Sequence, residues 1–152
     1  NTYIACWLAV TALGAKVVPI EPTPTGPNMD PERIEAAITS RTRAIMPVHL
    51  YGQAADMRAF EAIASRHNLA LVEDAAQAHL ATADGRPVGT IGIAGATSFY
   101  PTKNLGALGD GGAILTRDAN LAARVKREVR NKLEFVWLEK VEDAVAAGLQ
   151  PA

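Results

Sequence analysis

The spacing of apolar residues along this 152-residue chain changes several times, and each change marks an element. From Tyr3 to Leu13 almost every position is apolar, and the run stops at Gly14, which predicts a buried helix ended by glycine. Residues 15–22, AKVVPIEP, read as a short buried strand closed by the turn-rich PTPTGPNMD. Asp30 followed by Pro31 offers an N-cap and a proline at the first helical position, and Ile34, Ala37 and Ile38 then share one face of a short helix. RAIMPVHLYG, ending at Gly52, predicts a second strand. Met57, Phe60, Ile63, Ala64 and His67 recur at helical spacing, and LALVED predicts a third strand.

Beyond a loop through residues 82–95, GATSFY and GGAILTR are two further strand candidates. Asp118 can cap a last helix with Leu121, Val125, Val129 and Leu133 along one side. Strands alternating with helices long enough to cross over predict an α/β fold with a largely parallel sheet. Ligands of such sheets gather at the carboxyl ends of the strands. VED at 72–74 and SFYPTK at 98–103 end there. The segment KLEFVWLEKVEDAVAAGL reads as an amphipathic helix whose Phe135, Trp137, Leu138 and Val141 need a partner surface. The chain opens inside an apolar pattern without an initiating Met, so it reads as a piece of a longer protein.

Composition narrows the classes. Hydrophobic residues make up 49% of the chain and charged residues 20%, which suits one compact domain. Fifteen basic residues face sixteen acidic ones, and the densest basic cluster, RVKREVRNK, is broken by apolar positions, which argues against a nucleic-acid partner. No apolar stretch is long enough to cross a bilayer. Cys6 is the single cysteine, excluding an internal disulfide and a cysteine-based zinc site, and with no export signal the expected location is cytoplasmic. Histidines 49, 67 and 79 lack metal-ligand spacing, so no metal is expected. His67 falls on a mixed helix face, whereas His49 and His79 follow strand ends and could approach a cleft.

Asp74 closes the apolar LALV run, where a carboxylate is costly unless paired. It reads either as a cap organising the following loop or as an anion aimed at a cationic ligand. Lys103 is either a solvated charge or, in an apolar setting, an amine able to form an imine with a carbonyl group. An acid and a lysine at neighbouring strand ends suit pyridoxal phosphate, which needs a lysine for its aldehyde and an acid against its ring nitrogen. Ser98, five residues before Lys103, could face a phosphate or serve a turn. Gly106, Gly109, Gly111 and Gly112 match neither a Walker motif nor a dinucleotide fingerprint and read as conformational hinges. No serine stands in a G-x-S-x-G elbow.

These residues carry a resemblance. NTYIACWLAVTALGAKVVPIE, IEAAITSRTRAIMPVHLYGQAADM, LVEDAAQAH and GATSFYPTKNLGALGDGGAILTRD are similar, in order and separation, to the DegT/DnrJ/EryC1/StrS family. The resemblance implies the three-layer α/β sandwich of the large domain of fold-type-I aminotransferases, with a mostly parallel central sheet. It covers residues 1–130 as a partial cofactor-binding domain and leaves 131–152 as a divergent helix without a counterpart. It further implies pyridoxal 5'-phosphate as cofactor, a nucleotide-linked keto sugar as acceptor, an amino acid (usually glutamate) as donor, and homodimers as the family's assembly. Carried over by position, Lys103 is the lysine joined to the cofactor and the proton shuttle, and Asp74 keeps the ring nitrogen protonated. Gln77 contacts the phenolic oxygen side, Ser98 the phosphate, and Tyr3 stacks on the ring. Relatives that act as sugar dehydratases carry histidine at the lysine position, so Lys103 favours transamination. Leu80 replaces a usual glycine, so the loop there is expected to take a different path, and Glu21 replaces a usual aspartate. The alternative from another class is a catalytically silent α/β remnant or a partner-binding domain.

Overall fold

A computed structural model describes residues 2–129, in two units that divide at Arg117 and Asp118. The first unit is built on a four-stranded sheet. Its strands are β1 (Ala44–Ile45), β2 (Ala70–Asp74), β5 (Ala94–Ser98) and β6 (Gly112–Leu115), in the order β1-β2-β5-β6. β1, β2 and β5 are parallel, with Ala44 opposite Ala70 and Asp74 opposite Ala96; β6 returns antiparallel, with Ser98 opposite Gly112. The mostly parallel α/β sheet expected from the alternation of elements is therefore present.

Side chains alternate across the sheet, so residues paired in register share a face. Ile45 and Leu71 lie on one face and are buried under α2 (Met57–Arg66), whose Met57, Phe60, Ile63 and Ala64 supply the facing surface. Asp56 caps α2 by accepting from the Ala59 amide at 3.1 Å. Asp74 and Ala96 lie on the opposite face, which α1 (Ala5–Ala12) meets through Cys6. Helices thus cover both faces, giving three layers.

α1 ends as its sequence predicts. Gly14 has φ 71°, its amide donates to Thr11 O, and Ala15 N reaches Val10 O, which is a Schellman closure. The expectation that this helix is buried fails: only Cys6 is buried, and Tyr3, Ile4, Trp7, Leu8 and Leu13 are exposed. A helix apolar on every side needs cover all round, and the described residues cover one side.

Three other expectations are corrected. Residues 15–22 form no strand: they bridge to the chain at Pro22–Met29, Asp30 N donates to Glu21 O and Ile20 packs against the core, while Pro19 and Pro22 remove ladder donors. The segment after Asp30 is two short 3-10 turns, Pro31–Arg33 and Glu35–Ala37; Asp30 does cap the first, accepting from Glu32 N at 3.0 Å. Within the supposed loop 82–95, β3 (Thr82–Ala83) and β4 (Arg86–Pro87) make a small hairpin. Its tip, Asp84-Gly85, is left-handed at both positions (φ 50° and 74°), the turn that an Asp-Gly pair favours.

In the second unit, α3 (Ala119–Val129) begins where expected, with Asp118 accepting from the Asn120 and Leu121 amides. Leu133, Phe135, Trp137, Leu138 and Val141 lie outside the described residues. Among the described residues no helix is long and apolar enough to cross a membrane.

Candidate active site

Asp74 is the last residue of β2, and its backbone is held on both sides. Its amide donates to Pro47 O at 2.9 Å, and its carbonyl accepts from His49 N at 3.0 Å. One carboxylate oxygen accepts from the Ala76 amide at 2.9 Å, which starts the turn after the strand. The other accepts from the Cys6 thiol at 2.6 Å. The cap reading of Asp74 is therefore realised: one oxygen organises the turn, while the other faces the Cys6 thiol. Burial, then the hydrogen bond to Asp74, pushes the Cys6 thiol up to about 11.

Ser98 ends β5 on the same sheet face as Asp74, two residues beyond its register partner Ala96. That separation is about 7 Å along the strand. Its hydroxyl oxygen accepts from Tyr100 N at 3.2 Å, so the turn reading is realised while its own O–H proton stays uncommitted. Gln77, three residues after Asp74, accepts from Tyr51 N through Oε1 at 2.9 Å. That bond fixes the amide and leaves its NH₂ group as a donor. Tyr3 lies just before α1 and is exposed.

Lys103 follows Ser98 by five residues on the loop from β5 to β6. Its amide donates to Tyr100 O at 2.8 Å, and the loop is closed by Ala107 N to Phe99 O at 2.7 Å and Phe99 N to Gly111 O at 2.8 Å. Among the described residues, no ion pair or hydrogen bond engages its amine. The structure thus joins Asp74 to the helix following Tyr3, puts Ser98 on the same face, and places Lys103 on the loop beyond. No direct contact links Lys103 to Asp74. None of Gly106, Gly109, Gly111 and Gly112 has positive φ, so the loop makes no left-handed turn at any of them. Gly106 is required by close approach: a Cβ there would overlap the Pro101 carbonyl.

A groove of about 640 Å³ between α1, residues 15–20 and β1 contains neither Asp74 nor Lys103. Asp74 and Ser98 stand at strand ends, outside that groove.

Sequence reasoning passed over Glu73. It is 1% exposed on the face opposite Asp74, and it accepts from Gly89 N, Ile91 N and Gly92 N, each at 2.7 Å. His49, fully buried, completes this set with Nε2 at 3.1 Å. Its Nδ1 accepts from Ala55 N at 3.0 Å, so the ring proton sits on Nε2 and is donated to Glu73. Burial pushes the Glu73 carboxyl up, but His49 and the three amides together outweigh it and hold the group below its usual value. The alternation of LALVED held the signal, because Glu73 shares the parity of buried Leu71. His49 therefore faces the core rather than the cleft. His79 meets Thr97 Oγ1 through Nε2 at 2.9 Å, while its Nδ1 is buried without a partner among the described residues. His67 pairs with Glu35 at 2.8 Å near the surface.

The structure superposes on that of Streptomyces venezuelae DesV in complex with a ketimine intermediate, with TM-score 0.83 and 51% identity over 93% of this chain and 38% of that one. Its mostly parallel α/β sheet is that of the large domain of fold-type-I aminotransferases. The chain belongs to the DegT/DnrJ/EryC1/StrS aminotransferase family, whose model matches residues 1–133. It is 56% identical over 131 residues to dTDP-3-amino-3,4,6-trideoxy-alpha-D-glucose transaminase of Streptomyces venezuelae, covering 86% of this chain and 34% of that protein. It is 54% identical over 154 residues to the erythromycin biosynthesis sensory transduction protein EryC1 of Saccharopolyspora erythraea, covering 100% of this chain and 42% of that protein. The chain thus spans well under half the length of these curated relatives.

Proposed function

We propose that this chain carries the cofactor-holding core of a pyridoxal-phosphate-dependent aminotransferase that moves an amino group from an amino acid, glutamate being the family's usual donor, to a nucleotide-linked keto sugar. The observation that carries this reading is the placement of Asp74 and Ser98 on one sheet face, with the unengaged Lys103 amine on the loop that follows. The relatives named as sugar transaminases support the substrate class.

The donor set fits the cofactor. Asp74 offers a carboxylate oxygen shared so far only with a thiol, the right partner for a protonated ring nitrogen. Gln77, its oxygen already taken by Tyr51 N, presents N–H donors suited to a phenolate. Ser98 has a free O–H to donate to phosphate. When bound, the cofactor supplies an aldehyde and an electron sink. Asp74 would hold a proton at the ring nitrogen, and Tyr3 would cover the ring. The Lys103 amine would hold the group and would serve as the proton carrier at the reacting carbon.

The test is a pyridoxal phosphate titration followed by its visible band, then borohydride trapping and peptide mapping. Label on Lys103, lost in Lys103→Ala, is the expected result. A chain with no site-specific label would instead have the silent or partner-binding role.

A further inference from the structure

The most heavily bonded polar group in the described structure lies behind the site, on the face of β2 opposite Asp74. Glu73 receives three backbone amides and the His49 imidazole, with no room for water at 1% exposure. A buried carboxylate is costly, and an apolar residue would pack this face at less expense. Its presence there calls for something that an apolar side chain could not do.

Three segments converge on it. The loop 89–92 is drawn against the strand by its amides, so closely that a Cβ on Gly95 would overlap the Gly89 carbonyl. His49 fixes Ala55 through its other nitrogen. The same His49 also grips Asp74 through its own backbone amide at 3.0 Å. Between His49 and Ala55 runs the turn Leu50–Gly52, where Tyr51 has φ 55° and donates its amide to Gln77. A rotation of the Glu73 peptide plane turns Asp74 with it, because adjacent side chains of a strand point oppositely from one rigid backbone.

We propose that Glu73 and His49 are positioning residues: they fix the Asp74 carboxylate at the strand end and, through the Tyr51 turn, the Gln77 amide. Their service to a cofactor rests on the reading of Asp74 given above, whereas their hold on Asp74 does not.

Cys6 reports on that hold without any cofactor. It is the only cysteine in the chain, and its thiol donates to the Asp74 carboxylate at 2.6 Å. The experiment measures the rate of Cys6 alkylation by iodoacetamide on the full chain at fixed pH, for wild type, Glu73→Gln, Asp74→Asn and the double variant. Asp74→Asn removes the negative neighbour and speeds alkylation. Glu73→Gln speeds it too, but adds little in the Asp74→Asn background, a coupling of about twofold or more. An equal acceleration in both backgrounds, or none, overturns the proposal, because a merely structural loosening of α1 acts whether or not Asp74 is charged. Circular dichroism verifies the fold of each variant; if Glu73→Gln does not fold, His49→Gln completes the same cycle and is judged by the same coupling.

A parallel pyridoxal phosphate titration separates the two readings. Folded Glu73→Gln is expected to bind at least about tenfold more weakly, as when an outer partner of a ligand-holding side chain is lost. A wild-type chain that binds none overturns the functional reading and leaves the alkylation cycle to decide the positioning role.

Discussion

At the scale of single residues, Leu80 shows how the chain absorbs a departure from its family. The resemblance set a glycine there, and the replacement was expected to redirect the loop. Leu80 adopts the left-handed backbone at φ 65°, open to a glycine without strain, with its side chain 91% exposed. A non-glycine residue there costs about 1–2 kcal/mol, while glycine returns roughly 0.5–1 kcal/mol as lost chain entropy. Leu80→Gly removes no packing, so it should stabilise the fold by about 0.5–1 kcal/mol and raise the thermal midpoint by about 2–4 °C. A thermal melt of the two proteins decides it, and a lower midpoint would mean that the leucine makes contacts worth more than its strain. The candidate site was legible at this scale for Asp74, Ser98 and Lys103, because each sits where an apolar run ends. The partners that orient them were not. Cys6 is 68 residues from Asp74 and His49 is 24 from Glu73, separations that no local pattern encodes.

Among the elements, legibility followed the strength of the local signal. α2 was readable from its apolar spacing alone: Met57, Phe60, Ile63 and Ala64 are buried as the spacing picked, while His67, picked with them, falls at the C-cap and is not buried. Its start was set by Asp56, whose side chain takes the Ala59 amide. Asp56→Ala should cost about 1 kcal/mol, measured as a shift in the urea midpoint at unchanged slope. The strand expected at 15–22 failed because apolar content was weighed above the two prolines, which cannot donate to a ladder. The hairpin of β3 and β4 was missed for the opposite reason: Asp84-Gly85 is a strong turn signal, but its strands are two residues each and carry no readable alternation. α1 gave its place and its glycine stop correctly, though the helix spans Ala5–Ala12 rather than Tyr3–Leu13, while its burial depends on what lies against it, which its own residues cannot specify.

For the first unit as a whole, stability passes through Glu73, since that one carboxylate joins β2, the loop 89–92 and, through His49, the segment to Ala55. Despite the opposing effect of burial, its hydrogen bonds hold the folded carboxyl below the usual value near 4.5. Its contribution is therefore complete above that pH and is lost as the pH falls through the folded value, where the unfolded chain binds the extra proton. Protonation also places an O–H where only donors converge, so neither the amides nor the His49 N–H keep an acceptor of the same strength. Urea midpoints taken from about pH 7 to about pH 3 should be flat for this group at first and then fall. Glu73→Gln, which leaves an amide among amide donors, should lose about 3 kcal/mol at neutral pH, since a buried partner is removed and its donors are left unpaired. The same variant should show a shallower decline in acid, because the titrating group is gone. If instead wild type and variant decline in parallel, the acid sensitivity of the fold belongs to other carboxylates, and Glu73 holds the sheet by shape rather than by charge.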